Sequence, residues 1–215
     1  MWSMTRGAAT RERILDAAQQ LVLEHGFAAT TVDGILAETG ASKGAFFHHF
    51  PTKADLGHAL VERYAAADAE TLEALMTTAE ATSEDPAEQV ATFIAAFERA
   101  TEKMARLQPG CLFVSFIYES ELTGAETGEI VRQSILLWRE RILAKLDAAA
   151  ETRPSLAGVD LPSLADQAFA IFEGGFLLAR ALDQPDALSA QLAHLRHYLE
   201  LLFDVRAQLL PDAAG

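Results

Sequence analysis

Two lysines and a run of small residues mark the stretch of this chain best suited to chemistry with a polyanion. Ser42-Lys43-Gly44-Ala45 stands directly before Phe46-Phe47-His48-His49, and Pro51-Thr52-Lys53 follows. A lysine ammonium donates to guanine acceptors or to phosphate oxygens. Glycine and alanine beside it let a backbone approach a groove closely. A helix N-terminus adds free N–H groups and a positive dipole, which suit a phosphate at Thr52 and Lys53. The pattern points to double-stranded DNA as partner. Two bland readings stay open: a plain α-hairpin, and lysines that are merely solvated.

Other chemistry finds less support. His48 and His49 are adjacent, and neighbours on a helix point about 100° apart, so both do not easily hold one ion. No cysteine or carboxylate set surrounds them, and no metal site is expected. No nucleophile–base pair, phosphate loop or metal-ligand spacing supports the rival reading, a small all-helical hydrolase or isomerase. The expectation is a protein that is not an enzyme and needs no cofactor. A second rival is an interaction module that does not bind DNA.

The elements that must position these residues are all helical, and period-2 strand patterns are absent. Apolar residues at i, i+3 and i+4 predict a helix over Arg11–His25, carried by Ile14, Ala17, Ala18, Leu21 and Val22 and closed by Gly26. Thr30-Thr31-Val32-Asp33 resembles a capping box opening a helix to about Thr39, and Gly40 ends it. A third, short helix spans Lys43–His49, with Phe46 directed towards Ile35 and Leu21 and with Phe50 closing that small core. Two helices around a short glycine-containing turn make a helix-turn-helix.

A second capping box, Thr52-Lys53-Ala54-Asp55, opens a long connector helix over Thr52–Ala79. Further helices are expected over Ala87–Arg106, Cys111–Glu121, Ala125–Ala150, Ser163–Leu182 and Pro185–Leu209, with a tight turn at Gln108-Pro109-Gly110 and a loop over 152–162. The fold class is therefore all-α, with about nine helices. The expected domains are residues 1–55, the helix-turn-helix, and residues 56–215, a helical effector and dimerisation domain.

Charge first argues against DNA. The 215 residues carry a formal net charge of -14. Residues 1–60, however, hold five lysines and arginines against six acids, so nearly all the excess acid lies beyond them. Phosphate contacts also use backbone N–H groups and hydroxyls, so few cations do not exclude binding. They do imply weak nonspecific affinity. No apolar signal core opens the chain, no long uncharged apolar run spans a membrane, and one cysteine forbids an internal disulfide; a cytoplasmic home is expected.

The run TTVDGILAETGASKGAFFHHFPTKADL, residues 30–56, resembles the DNA-binding signature of the tetracycline-repressor (TetR) family, and Gly26-Phe27 and the helix before them fit as well. The resemblance covers residues 10–60. It implies an all-helical homodimer that regulates transcription, usually by repression, until a small molecule binds the C-terminal domain. It makes Thr31 and Lys53 phosphate contacts. It turns Lys43, Gly44, Ala45, Phe47 and His48 towards groove or backbone, with Ser42 at the helix start and His49 as a phosphate contact or a structural residue. Two positions depart from the pattern. Phe47 stands where the family commonly has a tyrosine whose hydroxyl reaches phosphate. Gly34 stands where a charged residue is common.

Residues 80–215 resemble nothing as specific. Their aromatic residues suit either a packed core or a pocket among helices. The candidate effector contacts are Phe93, Phe97, Cys111, Phe116, Ile117, Tyr118, Trp138 and Phe172, with Glu119 as a further polar group. Leu188, Leu192, Leu195, Leu199 and Leu202 form one stripe, and Phe169, Phe172 and Phe176 form another. Both fit a four-helix dimer interface or the chain's own core. Cys111, at a helix N-terminus, is either an inert buried thiol or an electrophile sensor. If it senses, an electrophile abolishes operator binding by the wild type and spares Cys111→Ser; equal responses in gel-shift titrations would end that idea.

Overall fold

A computed structural model describes residues 6–107 and 110–203. Among the described residues the chain is all-helical, with α1 Arg6–His25, α2 Val32–Thr39, α3 Lys43–His49, α4 Lys53–Glu80, α5 Pro86–Leu107, α6 Leu112–Tyr118, α7 Ala125–Ala150, α8 Leu161–Ala181 and α9 Ala187–Leu202. Short 3-10 turns at Ser120–Leu122 and Pro154–Leu156 interrupt the connections. No described helix is long and apolar enough to cross a membrane. The expected turn residues Gln108 and Pro109, and the expected extension of the last helix over 204–209, lie outside the described residues.

Several boundaries differ from the sequence reading for local reasons. α1 begins at Arg6 rather than Arg11, since nothing in Gly7-Ala8-Ala9-Thr10 obliges the helix to stop. α2 is capped one residue later than expected: Thr31 Oγ1 accepts from Gly34 N at 3.1 Å, while Thr30 is buried and donates its hydroxyl to Gly26 O at 2.8 Å. α6 stops at Tyr118, because Glu119 leaves the helix and turns its carboxylate to another segment. α8 begins at Leu161, where Asp160 accepts from Ser163 N at 3.1 Å. The box at α4 is reciprocal as expected: Thr52 N donates to Asp55 Oδ2 at 2.8 Å and Asp55 N donates to Thr52 Oγ1 at 3.1 Å.

The chain forms two compact units, one drawn from Met1–Asp68 and Gln108–Ser134 and the other from Ala69–Leu107 and Ile135–Gly215. This division differs from a cut after residue 55, because α6 and the start of α7 pack with the N-terminal helices. In the first unit α1 packs against α2, α3 and α6. Ile14, Leu15, Ala18, Val22 and Leu23 are its buried seam, with Leu21 only half-buried, and Ile35, Phe46, Phe50, Leu56 and Leu60 of the same unit are buried as well. Arg63 of α4 ties α1 down by donating to Asp16 at 2.7 Å, Gln19 at 2.8 Å and Glu12 at 3.3 Å.

In the second unit α9 packs against α5 and α8. The leucines expected at a dimer interface are buried in this core: Leu188, Leu192, Leu195 and Leu199 all face inward, as does Phe176, while Phe169 and Leu202 are half-buried. A stripe marks a buried face without saying which helix covers it, and here α5 and α8 cover it within the chain. The outward faces of α8 and α9 instead show Leu177 (69% exposed), Leu178, Leu182, Tyr198 and Leu201.

Gly175 allows α8 and α9 to approach, since a Cβ there would meet Leu188 Cα at 2.9 Å and Cδ1 at 2.6 Å, whereas a Cβ on Gly174 would meet nothing within 4 Å. Gly175→Ala is expected to destabilise the protein by about 1–3 kcal/mol through overpacking. Gly174→Ala should instead stabilise it by up to about 1 kcal/mol through helix propensity. Urea unfolding of the two variants measures the difference; equal midpoints would contradict the packing.

Candidate nucleic-acid interface

The turn between α2 and α3 is built from three local devices. Gly40 takes φ 65°, ψ 13° and returns its N–H to Leu36 O at 2.9 Å, closing α2 in a left-handed cap that L side chains resist. Ala41 N donates to Thr39 Oγ1 at 3.3 Å across the turn. Ser42 then caps α3, accepting from Ala45 N at 3.1 Å. Gly34 has a role here that its helix propensity hides: its N–H satisfies the Thr31 cap, and an added Cβ would come within 3.2 Å of that hydroxyl.

One face of α3 is anchored and the other is open. Phe46 is completely buried and Phe50 nearly so, with ring centroids 5.8 Å apart, and the Arg11 guanidinium lies 5.4 Å from the Phe50 ring centre. Ser42, Lys43, Gly44, Phe47 and His48 are exposed, and Ala45 and His49 are half-buried. Lys43 with Phe47, and Gly44 with His48, are spaced i, i+4 and so share the open side. A Cβ on Gly44 would meet nothing within 4 Å, so that position faces open space. Phe47 is 41% exposed and stands edge-on to Phe46 at 5.2 Å, which holds an apolar ring outward. Thr31, also exposed, lies at the start of α2.

Lys53 differs from the free cation expected from sequence. Its Nζ donates to Ala28 O at 3.0 Å and sits 4.6 Å from the Phe27 ring centre. Burial lowers its pKa, and the negative charge of Glu119 opposes that shift. The ammonium is thus already engaged with the α1–α2 turn. Glu119 and Ala28 were invisible to sequence reasoning as parts of this face: they stand 91 residues apart, and no local pattern pairs them.

The expected effector contacts divide between the two units. Phe93, Phe97, Trp138 and Phe172 belong to the second unit and are buried there in one aromatic group, with Phe97 centred 5.0 Å from Trp138 and 5.2 Å from Phe172. Cys111, Phe116, Ile117 and Tyr118 belong to the first. Cys111 is 7% exposed, and Phe116 packs against Phe27. Tyr118 is 85% exposed and Ile117 43%, because α6 turns Leu112, Phe113 and Phe116 inward and leaves these two on its outer side. Neither is an enclosed pocket contact in this structure. Among the described residues no three His, Cys, Asp or Glu side chains converge as for a metal ion.

Comparison with known proteins agrees with this geometry. Residues 14–60 match the model of bacterial regulatory proteins of the tetR family, and residues 86–195 match that of the tetracyclin repressor-like C-terminal domain. The HTH-type transcriptional repressor NemR of Escherichia coli is 25% identical over 197 residues, covering 88% of this chain and 94% of NemR. The HTH-type transcriptional repressor AcnR of Corynebacterium efficiens is 43% identical over 63 residues, 29% of this chain; the match spans about a third (34%) of AcnR's length. A TetR transcriptional regulator from Chloroflexus aurantiacus superposes with a TM-score of 0.72 at 29% identity, covering 91% of this chain and 96% of that one. With both its helix-turn-helix and its C-terminal helices matched, the chain belongs to the tetR family of bacterial regulatory proteins.

Proposed function

We propose that a homodimer of this chain represses transcription by binding a palindromic operator through α3, and that a small molecule releases it. The open side of α3 carries this reading. A capped helix anchored by Phe46 presents a lysine, a glycine, a partly exposed aromatic ring and a histidine on its open side. Lys43 would donate to guanine or phosphate, and Phe47 would touch a thymine methyl or a sugar. Thr31 and the start of α4 would meet phosphates. Repression is the sign supported by the relatives, since NemR and AcnR are both named transcriptional repressors.

The dimer would form through the outer faces of α8 and α9. Leu177, Leu182 and Leu201 are each more than half exposed there, which is unusual for leucines with no further partner. Two copies would place two α3 helices on successive major grooves, with half-sites about one helical turn apart. The effector would be a small apolar or aromatic molecule held at the Phe93–Phe97–Trp138–Phe172 group. α4 runs from one unit into the other, so a ligand that favours one arrangement of α4 would change the spacing of the recognition helices. That shift requires the ligand to bind one arrangement better than the other.

Selection from a random-sequence duplex pool tests the DNA reading. The enriched duplexes should carry an inverted repeat. Lys43→Ala should lose about 1–3 kcal/mol of discrimination at the contacted base pair and flatten the salt dependence. A wild type without sequence preference at low salt would sink the proposal. Sedimentation tests the interface: Leu177→Glu combined with Leu201→Glu should yield monomers that no longer bind the repeat, and a persisting dimer would place the interface elsewhere.

A further inference from the structure

The α1–α2 turn is held from both sides by side chains that come from elsewhere in the chain. Glu119, at the end of α6, accepts from Ala28 N at 2.6 Å through Oε2. Its Oε1 lies so close to the turn that a Cβ on Gly26 would come within 3.0 Å of it, and Gly26 itself takes φ +86°. From the other side Lys53 Nζ donates to Ala28 O at 3.0 Å. Both polar backbone groups of one residue are thereby engaged. Two residues on, Thr30 closes the turn by donating N–H and hydroxyl to Gly26 O, and Thr31 follows as the N-cap of α2. Glu119 therefore acts at once on the segment leading to Thr31 and, through Ala28, on the turn that Lys53 holds.

We propose that Glu119 is a positioning residue for operator binding: by holding the Ala28 N–H it sets the α1–α2 turn, and with it Thr31 and Lys53, in register with the phosphates on either side of α3. The proposal rests on the DNA-binding reading above. Glu119 touches no DNA in this scheme. It makes the end of α6 part of the scaffold that presents the phosphate contacts, so any displacement of α6 would break the hydrogen bond to the turn. Reach is the essential property, because Ala28 is exposed and water replaces a carboxylate that falls short.

Two near-isosteric variants of the full-length chain separate reach from charge. Glu119→Asp keeps the charge and loses one methylene. Glu119→Gln keeps the reach and an acceptor oxygen. Affinity is read with the duplex enriched by the wild type, and exchange of the Ala28 amide is read by NMR in the free protein. Glu119→Asp is expected to weaken binding about tenfold and to speed Ala28 exchange, while Glu119→Gln stays within about threefold of the wild type in both. Wild-type behaviour of Glu119→Asp in either measurement overturns the proposal, as does a Glu119→Gln as impaired as Glu119→Asp. A wild type that enriches no duplex overturns this proposal together with the DNA reading. Enrichment by the wild type with an unaffected Glu119→Asp overturns this one alone.

Discussion

The Phe27 ring lies 5.0 Å from the ring of Phe116 and so close to α4 that a Cβ on Gly57 would come within 2.8 Å of it. Three segments distant in sequence meet there: the end of α1, the second turn of α4 and α6. Gly26, with φ +86°, lets the chain reverse after α1 so that the ring reaches this place. Gly57 lowers the helix propensity of α4, and its missing side chain is the space the ring occupies. The Lys53 ammonium over the same ring adds a cation–π contact, a modest term at a partly exposed site. The two anchors of Ala28, Lys53 and Glu119, reach the turn directly beside this wedge.

The N-terminal stretch that carries α3 would meet a polyanion with little positive charge of its own. The acids of the chain lie mostly beyond residue 60, and of the two lysines near α3 only Lys43 stands on its open face. In the proposed binding mode affinity comes from geometry: capped helix starts, open space beside Gly44 and an outward ring at Phe47. Such contacts act over a few ångströms, whereas charge acts over about a Debye length. A regulator built in this way gains little from nonspecific attraction and depends on correct placement. In that proposed mode, small displacements of α3, Thr31 or the start of α4 would have large consequences for binding.

The second unit divides its apolar residues between two tasks. Leu188, Leu192, Leu195 and Leu199 fill the space between α9, α5 and α8, and Gly175 lets Leu188 come close. Bidentate ion pairs tie the periphery, with Arg139 donating to Asp166 at 2.6 and 2.8 Å and Arg141 to Glu73 at 2.8 Å. These partly exposed pairs contribute little stability individually and mainly fix the relation of neighbouring helices. In the same core the rings of Phe93, Phe97, Trp138 and Phe172 pack against one another.

Local sequence by itself determined the helices, the capping box at Thr52 and Asp55, the glycine stop at Gly40 and the buried and open sides of α3, because these depend on residues within about four positions of each other. It also carried the helix-turn-helix, whose parts are contiguous. Tertiary structure decided the rest. Burial periodicity showed that the α9 leucines are covered but not by what, since a helix inside the chain and one from a second copy impose the same spacing. It could not show that Lys53 is engaged, because its partners Ala28 and Phe27 lie a helix-turn-helix away. Nor could it pair Glu119 with Ala28, a contact across 91 residues that exists only once Phe27 and Phe116 have brought α6 to the end of α1.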